Sequence, residues 1–117
     1  MGYYANSVES DFTVPAANVP AALAAVQAVG GQGTSLSDAV FSITSFEDSV
    51  EDSSGFTLGS HHDKFLSRTE EVLAALAPFA VEGSYVRFIG EDDCMFGFRV
   101  IGGKLCSESG VIQWEFD

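Results

Sequence analysis

His61-His62-Asp63 groups three side chains of the kind that ligate metals, and Cys94 and Cys106 add two thiols further along the chain. Zinc sites are built from such residues. Successive side chains on a strand point to opposite faces, however, so His61 and His62 do not easily reach one ion. No CxxC or HxxxH spacing supports a site, and the pair reads as two partly exposed histidines near a strand end, leaving His61 and His62 as weak metal candidates only. A nucleophile and base pair of Cys94 with either histidine would require spatial proximity. Glu91, Asp92 and Asp93 directly precede Cys94, and neighbouring carboxylates raise a thiol pKa, which argues against a reactive cysteine. Those three acids form too short a loop for an EF-hand and fit a solvated hairpin turn. Gly31-Gln32-Gly33 lacks the preceding strand and third glycine of a dinucleotide fingerprint and the lysine of a P-loop, so it reads as a linker between helices. No catalytic residue is assigned and no cofactor is expected.

Charge is more informative than any of these motifs. The 117 residues hold seventeen Asp and Glu against five Lys and Arg, a formal net charge of −12. Residues 1–63 contain eight acids and no base, whereas Lys64, Arg68, Arg87, Arg99 and Lys104 all fall in the second half. An almost unopposed negative field repels nucleic acid and anionic membrane and favours encounter with a basic surface. The runs Glu47, Asp48, Glu51, Asp52 and Glu91, Asp92, Asp93 are therefore the candidate partner-binding residues. The plainer reading is that both are hairpin tips or edge strands held apart from neighbours by like charge.

With 46% hydrophobic residues and ten Phe, the chain can bury a sizeable core as one domain, residues 1–117. Two cysteines without a secretory signal or Cys-rich framework suggest buried thiols in adjacent strands of a cytoplasmic protein. The apolar stretch at residues 19–29 is too short to span a bilayer.

The elements follow from periodicity. Residues 3–14 alternate as a strand that stops at Pro15. Asn18 is an N-cap candidate for a helix over residues 21–29, with Val19, Leu23, Val26 and Val29 on one face and Gly30-Gly31 at its end. Ser35 or Ser37 caps a second helix running to about Ser45. A strand, a Ser53-Ser54-Gly55 turn and a strand from Phe56 come next. Ser67 and Glu70 form a capping box before Val72, Leu73, Leu76 and Phe79, the third helix. From Ser84 the period becomes two. Strands over residues 85–89, 95–101 and 104–116, joined by the acidic turn and by Gly102-Gly103, make a meander.

Met1-Gly2-Tyr3-Tyr4, the run at residues 71–79, Glu82-Gly83-Ser84-Tyr85, Gly90-Glu91-Asp92, Gly102-Gly103-Lys104 and Trp114 together resemble a family of small acidic proteins encoded by bacteriophages and prophages. The likeness covers residues 69–114 and the first four. It implies a fold, a phage or mobile-element setting and a place in the host cytoplasm, and it carries over no catalytic residue.

The expectation is an α+β domain with a mixed or antiparallel sheet of five to six strands, three helices and a C-terminal three-stranded meander. Its expected role is non-enzymatic, that of an acidic inhibitor or interaction protein docking a basic protein, including one that binds nucleic acid. It binds neither nucleic acid nor membrane directly and is a monomer or homodimer. Two alternatives stand beside this: a small-molecule or metal-binding module using His61 and His62, and a homo-oligomeric structural accessory protein.

Overall fold

Three segments of the chain each contribute a strand to two different sheets, and that sharing organises the computed structural model, which describes residues 4–64 and 67–110. In the first segment β1 (Tyr4–Asp11) passes into β2 (Thr13–Pro15). In the second, β3 (Phe46–Glu47) passes into β4 (Val50–Asp52), and in the third β5 (Gly55–Thr57) passes into β6 (Ser60–Lys64). The meander strands β7 (Tyr85–Gly90), β8 (Met95–Ile101) and β9 (Lys104–Gly110) complete a six-stranded sheet in the order β3-β6-β1-β7-β8-β9. A second sheet has the order β2-β5-β4. Every pairing is antiparallel. Because β4-β5-β2 repeats the order β3-β6-β1, the three segments bend together, as at a corner where strands switch sheets.

The bend is made by backbone. The Leu58 N–H donates to the Phe12 carbonyl at 2.9 Å, and the Gly59 N–H donates to Ser49 Oγ at 2.9 Å. Asp48 takes a left-handed conformation with φ 60°, which Asp tolerates better than most residues. A Cβ on Gly59 would lie 1.8 Å from the Glu47 carbonyl oxygen, so only glycine lets the two strands approach there. The bend corrects two expectations. The first strand does not run unbroken to residue 14 but changes sheets at buried Phe12, and residues 46–52 form two short strands rather than one.

Helices α1 (Val19–Ala28), α2 (Leu36–Ile43) and α3 (Ser67–Leu76) supply apolar faces to the core. Pro20 sits in the first turn of α1, and Gly30 at φ 111° follows its end. Arg68 Nη1 donates to the Val29 carbonyl there, satisfying an acceptor that the helix cannot. Asn18 occupies the N-cap position of α1 as expected, but its side chain makes no capping bond; it closes a 3₁₀ turn (Ala16–Asn18), and its Nδ2 donates to the Phe79 carbonyl at 3.1 Å. Helix α2 stops at Ile43, slightly earlier than expected, because Thr44 is extended and its hydroxyl donates back to the Val40 carbonyl. Val72, Leu73 and Leu76 of α3 are fully buried, and Phe79 packs against the core from a short 3₁₀ turn. The Ser67 side chain and the expected continuation of the last strand to residue 116 lie outside the described residues.

At the centre, Phe88 stacks on Phe96 at 5.1 Å and meets Phe98 and His61 edge-on at 6.3 and 5.4 Å. Phe46 of β3 also touches it at 6.1 Å, so the aromatic cluster spans the sheet from its β3 edge to β8. Gly59→Ala should lower the urea midpoint by the equivalent of about 1–3 kcal/mol, the usual cost of overpacking, with little change in m-value. An unchanged midpoint would show that the bend can yield.

Candidate functional site

Helix α2 and the 47–49 turn enclose a groove of about 360 Å³, lined by Ser37, Asp38, Phe41, Phe46, Glu47, Asp48 and Ser49. Ser37, Asp38 and Phe41 share a face of α2 because residues three and four apart are neighbours on a helix. The helix is fixed at its start by two oxygens: Ser35 Oγ accepts from the Asp38 N–H at 3.2 Å, and Glu51 Oε1 of β4 accepts from the Ser37 N–H at 3.0 Å. Placing Glu51 at this terminus sets a negative group against the positive end of the helix dipole. Phe46, 1% exposed, forms the floor. Phe41 is 57% exposed, an apolar ring standing at the solvent edge.

The carboxylates divide into two kinds. Glu51 accepts from the Ser37 N–H and hydroxyl, and Asp52 accepts from the Ser54 N–H at 2.9 Å and the Ser54 hydroxyl at 2.5 Å. The Ser54 hydroxyl, then its amide, hold the Asp52 carboxyl below the usual carboxylate range. Asp38, Glu47 and Asp48 have no hydrogen bond or ion pair through their carboxylates to any other described residue. All three line the groove. Asp38 was not singled out from the sequence, since an acid in the first turn of a helix is ordinary there.

The other acidic run lies elsewhere. Glu47 pairs with Ser60 at one end of β6, whereas Tyr4, paired with Lys64 at the other end, is the residue that the 90–94 turn grips. The Glu91 N–H donates to the Tyr4 carbonyl at 2.9 Å, and Glu91 Oε1 accepts from the Tyr4 N–H at 3.1 Å. Asp92 Oδ1 accepts from the Cys94 N–H at 3.2 Å, and Asp93 takes φ 63°. Four residues of strand, about 13 Å, thus separate the two runs along β6. Glu91 and Asp92 maintain the hairpin turn.

His61 and His62 face opposite sides of β6, as strand alternation requires. His62 is exposed, with Nδ1 3.4 Å from Asn6 Oδ1. His61 is not partly exposed as expected but fully buried: its Nδ1 lies 2.7 Å from the Ala5 carbonyl, and its ring meets Phe46 edge-on at 5.2 Å. No group of three or more His, Cys, Asp or Glu is arranged around one point among the described residues. Cys94 also differs from expectation, lying exposed in the turn before β8 rather than buried in a strand, while Cys106 is half-buried in β9; both thiols are free. Asp92, through a hydrogen bond and its charge, pushes the Cys94 thiol up.

The arginines are engaged within the fold. Arg87 pairs with Glu9 at 2.8 Å and Arg99 with Glu108 at 3.1 Å, and both guanidinium groups stack on Tyr85, 4.9 and 4.7 Å from its centroid. A hydrogen bond to Glu9 raises the Tyr85 pKa. No helix among the described residues is long and apolar enough to cross a membrane.

Comparison with protein-family models, with curated proteins and with solved structures gave no match.

Two measurements check the electrostatics. Cys94 should react with a thiol reagent at neutral pH more slowly than an unhindered thiol despite its exposure, and Asp92→Asn should accelerate it; equal rates would mean that Asp92 exerts no control. The depressed Asp52 carboxyl contributes stability that is present above its unfolded-state pKa and lost as pH falls through its folded one. The stability difference between the native protein and Asp52→Ala should therefore shrink on acidification below the usual carboxylate range. A difference independent of pH would remove the carboxylate from that role.

Proposed function

We propose that this protein is a non-enzymatic interaction protein whose negative surface docks a basic protein partner, with the groove between α2 and the 47–49 turn as its centre. One observation carries the reading: Asp38, Glu47 and Asp48, whose carboxylates make no hydrogen bond or ion pair to any other described residue, converge with exposed Phe41 around one concavity. Unpaired carboxylates contribute no attraction to the fold and repel one another, whereas against a basic surface they gain complementarity. An exposed aromatic ring beside them supplies the apolar contact that interface centres favour.

The resemblance of the sequence to small acidic phage proteins supplies a setting, a host cytoplasm, in which the docking reads as inhibition of a basic protein that itself binds nucleic acid. Carboxylates projected from a rigid surface are suited to occupy a phosphate-binding face. Of the residues expected to bind from sequence, Glu47 and Asp48 form the centre. Glu51, Asp52, Glu91 and Asp92 add field while holding backbone, and Asp93 lies apart with the second turn.

Retention of a basic protein from host lysate on the immobilised protein should fall steeply with added salt. The double change Glu47→Gln, Asp48→Asn should reduce capture several-fold, and Glu91→Gln much less. Capture insensitive to salt, or unaffected by the double change, would refute docking through this surface.

A further inference from the structure

Resting on the docking role just proposed, we infer that the groove receives an arginine side chain of the partner, with the guanidinium stacked on Phe41 and bonded by the carboxylates of Asp38, Glu47 and Asp48. The protein's own arginines show the required chemistry. Arg87 and Arg99 each lie over the Tyr85 ring while pairing with a carboxylate, Glu9 or Glu108. The groove presents the same two elements, an aromatic face and carboxylates, and no Lys or Arg among the described residues forms an ion pair with them.

Several features favour arginine over lysine. A guanidinium is planar, carries donors in a fork that fits carboxylates from two sides, and stacks on aromatic rings. It is also more weakly hydrated than an ammonium, so it enters a groove floored by apolar Phe46 at lower cost. At about 360 Å³, the groove lies at the small end of ligand pockets, roughly 300–1,000 Å³, a scale suited to one long side chain and its immediate neighbours. The walls are set in advance. Gly59 holds the 47–49 turn at backbone contact, and Glu51 and Ser35 fix the start of α2, so binding orders little of the protein.

The test is titration of the ¹⁵N-labelled full chain with acetyl-Gly-Arg-Gly-amide, followed by amide shifts. The lysine peptide and the citrulline peptide, a neutral isostere of arginine, serve as comparators. The arginine peptide should shift the amides of residues 37–41 and 46–49 with millimolar affinity, bind about threefold or more tighter than the lysine peptide, and leave the citrulline peptide without saturable shifts. Phe41→Ala should weaken the arginine peptide about fivefold, a loss in the range of cation–π contacts, and Glu47→Gln with Asp48→Asn should abolish saturation. Phe41 is largely exposed, so its change should leave the unfolding midpoint in place, and an unchanged midpoint separates lost binding from lost folding.

Equal binding of the citrulline peptide, or arginine-induced shifts confined to residues 91–93, would overturn the arginine groove. If a basic partner is still retained in a salt-dependent manner by Phe41→Ala, docking stands and the groove assignment fails. If that salt-dependent retention is itself absent in the native protein, the docking proposal fails first.

Discussion

The approach of Gly59 to the Glu47 carbonyl is the constraint on which the remaining architecture depends. It allows the β3/β4 and β5/β6 segments to turn the corner together, and the Leu58–Phe12 hydrogen bond brings β1/β2 through the same bend. Around the bend the three segments bury Phe12, Val14, Phe56 and Leu58 on one side and, on the other, Phe46 and His61 against Phe88 of β7. Burying a Phe or Leu side chain is worth about 1.5–3 kcal/mol, so the bend secures a gain well beyond the strain of one left-handed Asp48.

His61 shows how far that enclosure governs chemistry. By residue type it belongs with metal ligands and bases, yet the bend and the β1–β6 pairing bring it to the Ala5 carbonyl between Phe46 and Phe88. There it acts as a polar core residue. The acids diverge in the same way. Exposed ion pairs contribute about 0–1 kcal/mol and a carboxylate at a helix start about 0.3–1 kcal/mol, so Glu9 and Glu51 add little beside the aromatic cluster. Seventeen carboxylates are not needed for folding, and those outside such pairs define the surface.

Local chemistry was legible in the sequence, and long-range placement was not. Ser35 as a cap, the Ser53-Ser54 turn, the apolar face of α3, and the β7-β8-β9 meander with its Gly102-Gly103 turn all follow from neighbouring residues, and the structure contains each of them. The bend depends on Leu58 meeting Phe12 and Gly59 meeting the 47–49 turn across the chain, which periodicity does not encode. Asn18 stands at the N-cap position its type suggests, but its side chain makes no capping bond there, and the Phe79 carbonyl, sixty-one residues away, takes its side-chain amide. Of the groove, Glu47 and Asp48 could be read as an acidic run. Asp38 and Phe41 could not, because on α2 alone they look like a solvated first turn and an isolated exposed ring. Glu51 and Asp52 share the run with Glu47 and Asp48 and differ only in having Ser37 and Ser54 within reach.

The bend also turns an asymmetry along the chain into one in space. Asp38, Glu47, Asp48, Glu51 and Asp52 all belong to α2 and to the outer edges of the two sheets, where no base occurs in sequence. The meander lies at the far side of the larger sheet, and its arginines have carboxylates beside them, Glu9 of neighbouring β1 for Arg87 and Glu108 for Arg99. Screening over about 8 Å at physiological ionic strength keeps these regions electrostatically distinct. In the docking role proposed above, a basic surface is drawn toward the α2 side, where carboxylates without internal partners lie around the groove beside Phe41. Steering and contact then favour the same place, which a uniformly acidic surface of equal net charge would not achieve.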